Sequence, residues 1–88
     1  MEITGVKITL RDEAKLKAFA SITIDDCFVV TGLRVIDGAN GLFVAMPSRK
    51  LGDGSFKDIA HPLDNDTRKK IEKKVLDEYK KALKTSEK

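Results

Sequence analysis

The chain has one cysteine, one histidine and two prolines among its 88 residues, and its only aromatic side chains are four phenylalanines and one tyrosine. A single cysteine, Cys27, excludes an internal disulfide. A lone histidine, His61, cannot hold a metal without further ligands, and Cys27 lies far from it in sequence. Cysteine–histidine catalysis would also need an orienting group that nothing in the chain identifies. A glycine-rich phosphate loop, paired carboxylates and a serine-triad pattern are all missing. The spacer Asp37–Gly41 lacks the alternating acids and closing glutamate of a calcium loop. These absences leave no basis for an enzyme, a metal or a cofactor. No apolar run approaches the roughly 18–20 residues of a membrane span, and Met1–Thr4 lacks the basic-then-apolar layout of a secretory signal. A cytoplasmic protein without a membrane partner is expected.

What the chain does have is charge and strand pattern. Apolar residues make up 41% and charged residues 35%, a balance that suits one globular domain. We expect that domain over residues 1–84, with a disordered tail at 85–88. A chain this short is near the size where one core suffices only marginally, and edge strands need cover, so a homodimer is expected. The net charge of +3 is unevenly spread. Residues 1–67 carry 8 basic and 10 acidic side chains, whereas residues 68–88 carry 9 basic and 4 acidic. That asymmetry points to an acidic partner, with nucleic acid the commonest candidate.

Val6, Ile8 and Leu10 alternate with polar residues, as do Ala18, Ala20, Ile22 and Ile24, so both runs read as half-buried strands. Asp25-Asp26 makes a turn, and Cys27–Val30 opens a third strand. Gly32 predicts a bulge or bend before Leu33–Ile36 resumes. Asp37–Gly41 supplies the turn residues of a hairpin into Leu42–Met46, which stops at Pro47. Asp53-Gly54 then precedes a short strand, Ser55–Ile59. Beyond Pro62 the period changes. Ile71, Val75, Leu76, Tyr79, Ala82 and Leu83 recur at helical spacing within an arc of roughly 140°, with Asn65 or Asp66 as the helix cap. The fold class is α+β: an antiparallel meander of four to six strands with one long C-terminal amphipathic helix.

The chain resembles the stage V sporulation protein G family, small bacterial septation and sporulation regulators. The likeness is carried by Ala20–Thr23, Phe28–Val30, Arg34–Gly38, Asn40–Ser48, Asp53–Ile59 and His61-Pro62, and it runs on through the closing helix. Asn-Gly-Leu-Phe-Val-Ala-Met-Pro-Ser at Asn40–Ser48 is its most specific part. The resemblance implies a dimeric, nucleoid-associated, site-preferring DNA binder that also contacts RNA. It further implies that cations in the loop after Pro47 and on the final helix carry that contact.

On those positions stand Ser48, Arg49 and Lys50 in the expected loop, and Arg68, Lys69, Lys70, Lys73 and Lys74 at the helix start. Independently of the resemblance, Arg49 and Lys50 follow a strand-ending proline, which would present them together at one sheet edge. Ser48 could add a hydroxyl or amide contact to a phosphate. Lys69, Lys70, Lys73, Lys74, Lys80, Lys81 and Lys84 share the polar side of the helix, where they could neutralise several phosphates at once. The competing reading is a protein-interaction module whose lysine face docks an acidic protein. Phe43 and Phe56 fit core packing better than base stacking. Cys27 reads as a small buried or edge residue, and His61 as a hydrogen-bonding group of the strand-to-helix connection.

Overall fold

In the computed structural model, residues 2–86 are described. Six strands and one helix follow in chain order: β1 Ile3–Leu10, β2 Leu16–Ile24, β3 Phe28–Gly38, β4 Gly41–Ala45, β5 Ser48–Lys50, β6 Phe56–Asp58 and α1 Asn65–Ser86. The first four form an antiparallel sheet in the order β1-β2-β3-β4, while β5 and β6 pair separately as a two-stranded ribbon. The expected α+β meander with one C-terminal helix is therefore what the chain adopts. Among the described residues no helix is long and apolar enough to cross a membrane.

Alternation decides which sheet face is covered. Ala18, Ala20 and Ile22 of β2 face the same side as Leu33 and Val35 of β3 and Val44 of β4. All six are buried, and α1 closes over them with Ile71, Val75 and Tyr79. The helix packs chiefly along β1, then β4. Leu76 and Leu83 join the rim of this core. The opposite sheet face has no covering layer among the described residues.

Each reversal has a local cause. At the β2–β3 turn, Asp25 and Asp26 both take positive φ, 50° and 55°, a conformation that aspartate tolerates better than most side chains. The start of the chain holds that turn in place. Glu2 N–H donates to Asp25 Oδ1 at 3.0 Å, and Thr4 Oγ1 accepts from Asp26 N–H at 2.9 Å. Thr4 can reach because a register shift between Ile3 and Gly5 leaves it as the extra residue of β1. The bulge expected near Gly32 is present. Thr31 and Gly32 stand opposite Ser21 alone, and Gly32 adopts φ 86°. At the β3–β4 hairpin, Gly38 pairs with Gly41, and of the turn residues only Gly41 has positive φ.

Three boundaries differ from the sequence reading. The helix cap is Asp64, whose Oδ1 accepts from Thr67 N–H at 2.7 Å, rather than Asn65 or Asp66. An oxygen three residues before the free amide has the right reach, and Asp64 holds that position. The third strand starts at Phe28 rather than Cys27, and of the two readings of Cys27, buried or edge, the buried one is excluded because the residue is exposed at the end of the turn. Thr85 and Ser86, expected in the tail, are helical, and Thr85 Oγ1 donates to Lys81 O at 3.1 Å. The remaining tail, 87–88, lies outside the described residues.

Hydrogen bonding from Thr67, side chain first and backbone second, holds the Asp64 carboxyl below its ordinary 3.8; the charge of Lys70 adds to this, and the sum outweighs desolvation. A carboxyl whose folded pKa is lowered stabilises the fold above its unfolded value and loses that contribution as pH falls through the folded one. Asp64→Ala should therefore lower the melting temperature by a few degrees at neutral pH. The gap from wild type should shrink as the pH is taken below 3.8, which circular dichroism melts would show.

Candidate nucleic-acid interface

The segment after Pro47 is not a loop. Ser48, Arg49 and Lys50 form β5 and pair with β6 in the register Ser48↔Asp58, Arg49↔Lys57 and Lys50↔Phe56. The ladder continues at both ends, with Ile59 N–H donating to Pro47 O and Leu51 N–H to Ser55 O, each at 2.7 Å. A tight turn closes it. Gly54 takes φ 91°, and Asp53 Oδ1 accepts from the Ser55 hydroxyl at 2.6 Å and the Ser55 amide at 2.9 Å. Those two bonds, the hydroxyl's first, hold the Asp53 carboxyl below its usual value.

Pairing changes which cations act together. Successive strand residues point to opposite faces, so Arg49 and Lys50 diverge rather than sharing an edge. The cation that shares a face with Arg49 is Lys57, its direct cross-strand partner. Lys57 is absent from the expected site because the sequence after Pro47 reads as a loop, which leaves Lys57 without a cross-strand partner. Counting back from the Asp53-Gly54 turn would have placed Lys57 opposite Arg49. Like charges directly opposite one another cost stability. Neither side chain has an ion-pair partner among the described residues.

The other ribbon face carries Ser48, Asp58, Lys50 and Phe56. It looks onto a groove walled on its far side by Arg34, Phe43 and Arg68. Ser48 is thus occupied internally, its Oγ accepting from Arg34 Nη2 at 3.2 Å. Phe43 and Phe56 are exposed by 43% and 67%, not packed in the core. For Phe43 the reason is strand parity: Val44 takes the inward position, so its neighbour must face the uncovered side.

The helix-start cations are also divided. Arg68 is half-buried on the ribbon side and lines the groove. Lys70, Lys73 and Lys74 lie on the other flank, in a hollow completed by Glu2 and Ile3. Lys69 is exposed between the two. Lys73 is partly neutralised by Asp77 Oδ2 at 3.3 Å, and further along Lys81 meets Glu78 Oε1 at 3.3 Å. Exposed pairs of this kind add little stability, yet each reduces the charge available to a ligand. His61 is exposed, with Nδ1 lying 3.1 Å from Pro62 O, so it serves the strand-to-helix connection as expected.

Comparison with known proteins bears on this arrangement. Residues 1–81 match the family model SpoVG. A protein of Anaeromyxobacter sp. strain K, named "Putative septation protein SpoVG", is 55% identical over 84 residues, covering 96% of this chain and 83% of that protein. Its namesake in Caldanaerobacter subterraneus subsp. tengcongensis is 55% identical over 83 residues, covering 93% and 91%. The Bdellovibrio bacteriovorus protein of the same name is 54% identical over 85 residues, covering 97% and 79%. Identity at this level over nearly the whole length, together with the matched model, shows that the chain belongs to the SpoVG family.

Proposed function

We propose that the protein is a non-enzymatic, nucleic-acid-binding regulatory protein of septation or sporulation, acting as a homodimer on DNA and also contacting RNA. The observation that carries this reading is the β5–β6 ribbon, which holds Arg49 opposite Lys57 with no carboxylate paired to either among the described residues. Two like charges kept side by side cost stability, and an anion between them would repay it. A two-stranded ribbon is also of a width that the DNA major groove admits. Arg49 is then the candidate for reading bases, since a planar guanidinium can grip guanine with two bonds. Lys57, Lys69, Lys70, Lys73 and Lys74 would contact phosphates, positioning the protein without reading sequence, while Lys50, on the other ribbon face, would contribute less. A second copy would double this array, and the open edges of β1 and β4 are where strands need cover.

The salt dependence of duplex binding tests the reading. Each phosphate contact releases counterions, so log K should fall linearly with log salt, by about 0.9 per contact. A dimer touching roughly four to eight phosphates gives a slope near −4 to −7. Lys70→Ala with Lys74→Ala should flatten the slope by about one unit or more and weaken all sequences alike. A slope near zero would instead favour docking of an acidic protein on the lysine hollow.

A further inference from the structure

The groove between the ribbon and the sheet differs chemically from the Arg49–Lys57 face. Two phenylalanine rings line it, both substantially exposed, with Arg34 on one side and Arg68 on another. Three of the four phenylalanines are exposed, Phe28, Phe43 and Phe56, and two of these, Phe43 and Phe56, share one groove flanked by guanidinium groups. Phe43 is held in place by Gly38. A Cβ at Gly38 would stand 2.8 Å from Phe43 Cε1 and 3.2 Å from Cδ1, so the ring rests against bare backbone. The pairing of β5 with β6 fixes the position of Phe56 in the same way, opposite Lys50.

The charges in the groove are unbalanced. Arg34 is half-buried, and among the described residues the hydrogen bond of its side chain runs to a neutral hydroxyl, that of Ser48. Neither Arg34 nor Arg68 forms an ion pair among the described residues, although Asp58 lines the same groove. A guanidinium that is partly desolvated and lacks a carboxylate favours an anionic ligand. Flat apolar rings beside such cations suit a ligand with a π-face and a phosphate on the same unit. A base inside a duplex keeps its faces covered by its neighbours, so only an unstacked base can lie on these rings.

We propose that this groove binds single-stranded nucleic acid, with Phe43 and Phe56 stacking on splayed bases and Arg34 and Arg68 holding the adjacent phosphates. The site rests on the nucleic-acid reading above but is separate from the duplex-binding face. The two surfaces meet at the ribbon, one on each of its faces, so one protein could hold a duplex and a neighbouring unpaired strand together.

The chain has no tryptophan, so Phe56→Trp places a single tryptophan in the groove, which can be excited apart from Tyr79. Titration with an oligothymidylate should quench it, whereas a blunt duplex of equal length should leave it nearly unchanged. Phe43→Leu and Phe56→Leu keep apolar bulk but lose the stacking ring. Each should weaken oligothymidylate binding roughly five- to a hundredfold, with duplex affinity within twofold of wild type. Phe56→Tyr should restore binding. Three results would overturn the groove: no quenching, unchanged single-strand affinity in both leucine variants, or equal losses for single strand and duplex. A shift of the leucine variants from dimer to monomer in sedimentation would likewise overturn it, because the rings would then belong to a contact between copies. Failure of the wild type to bind duplex while single-strand binding and quenching persist would refute the duplex reading and leave the groove standing.

Discussion

Val75→Asp should abolish the folded state at ordinary temperatures. Val75 is fully buried, midway along the apolar face of α1 between Ile71 and Tyr79. Burying a valine side chain contributes about 1.5–3 kcal/mol, and the substitution forfeits it. An unpaired carboxylate in the same place adds a desolvation penalty of several kcal/mol, or forces the group to take up a proton. No basic partner is at hand, since among the described residues the buried set contains no charged side chain and only the phenol of Tyr79 as a polar group. Domains of this size are stable by only about 5–15 kcal/mol, so the loss consumes most or all of the margin. Far-ultraviolet circular dichroism should show the helix gone at 25 °C, and gel filtration an expanded chain. Lys80→Asp, on the exposed side of the same helix, should melt close to wild type. A folded Val75→Asp protein would mean that the helix does not pack on the sheet through this face.

Most of this architecture was legible in the sequence because it rests on periodicity. Alternation in β1 and β2, the interruption at Gly32 and the three- and four-residue spacing of Ile71, Val75 and Tyr79 each have a single geometric solution once one sheet face must be buried. What could not be read was whether a three-residue segment would find a partner. Ser48–Lys50 is too short to show a period, and its strand character comes entirely from pairing with Phe56–Asp58. That pairing moved Lys57 into the site, separated Lys50 from Arg49 and brought Phe56 to the groove. The helix-start cations divided for a similar reason. Arg68 and Lys70 are near neighbours in sequence, but two residues on a helix turn by about 200°, enough to place them on opposite flanks. Phe43 misled because apolar content alone does not say which face of an edge strand is covered.

Loss of duplex binding is the second large effect expected, and it comes from the ribbon. Arg49→Ala with Lys57→Ala should weaken duplex affinity by more than tenfold. Both side chains are exposed cations on a hydrogen-bonded ladder, so truncation removes charge without opening the core. Stability should hold or rise slightly, because the cross-strand repulsion between them disappears. Binding and stability thus move in opposite directions, the pattern left when a protein retains an unfavourable contact for the sake of a ligand. Alanine at Lys50 should cost less, since that side chain stands on the other ribbon face with Phe56.

Lys57→Glu offers the sharpest form of this comparison, because it replaces a like-charged cross-strand pair with an attractive one. The decisive measurement is its melting temperature and its affinity for a labelled duplex, taken beside wild type in one low-salt buffer. A melting temperature equal to or above that of wild type, with affinity reduced by more than tenfold, is the predicted result. Unchanged affinity in a folded protein would contradict the account and remove the ribbon from the interface.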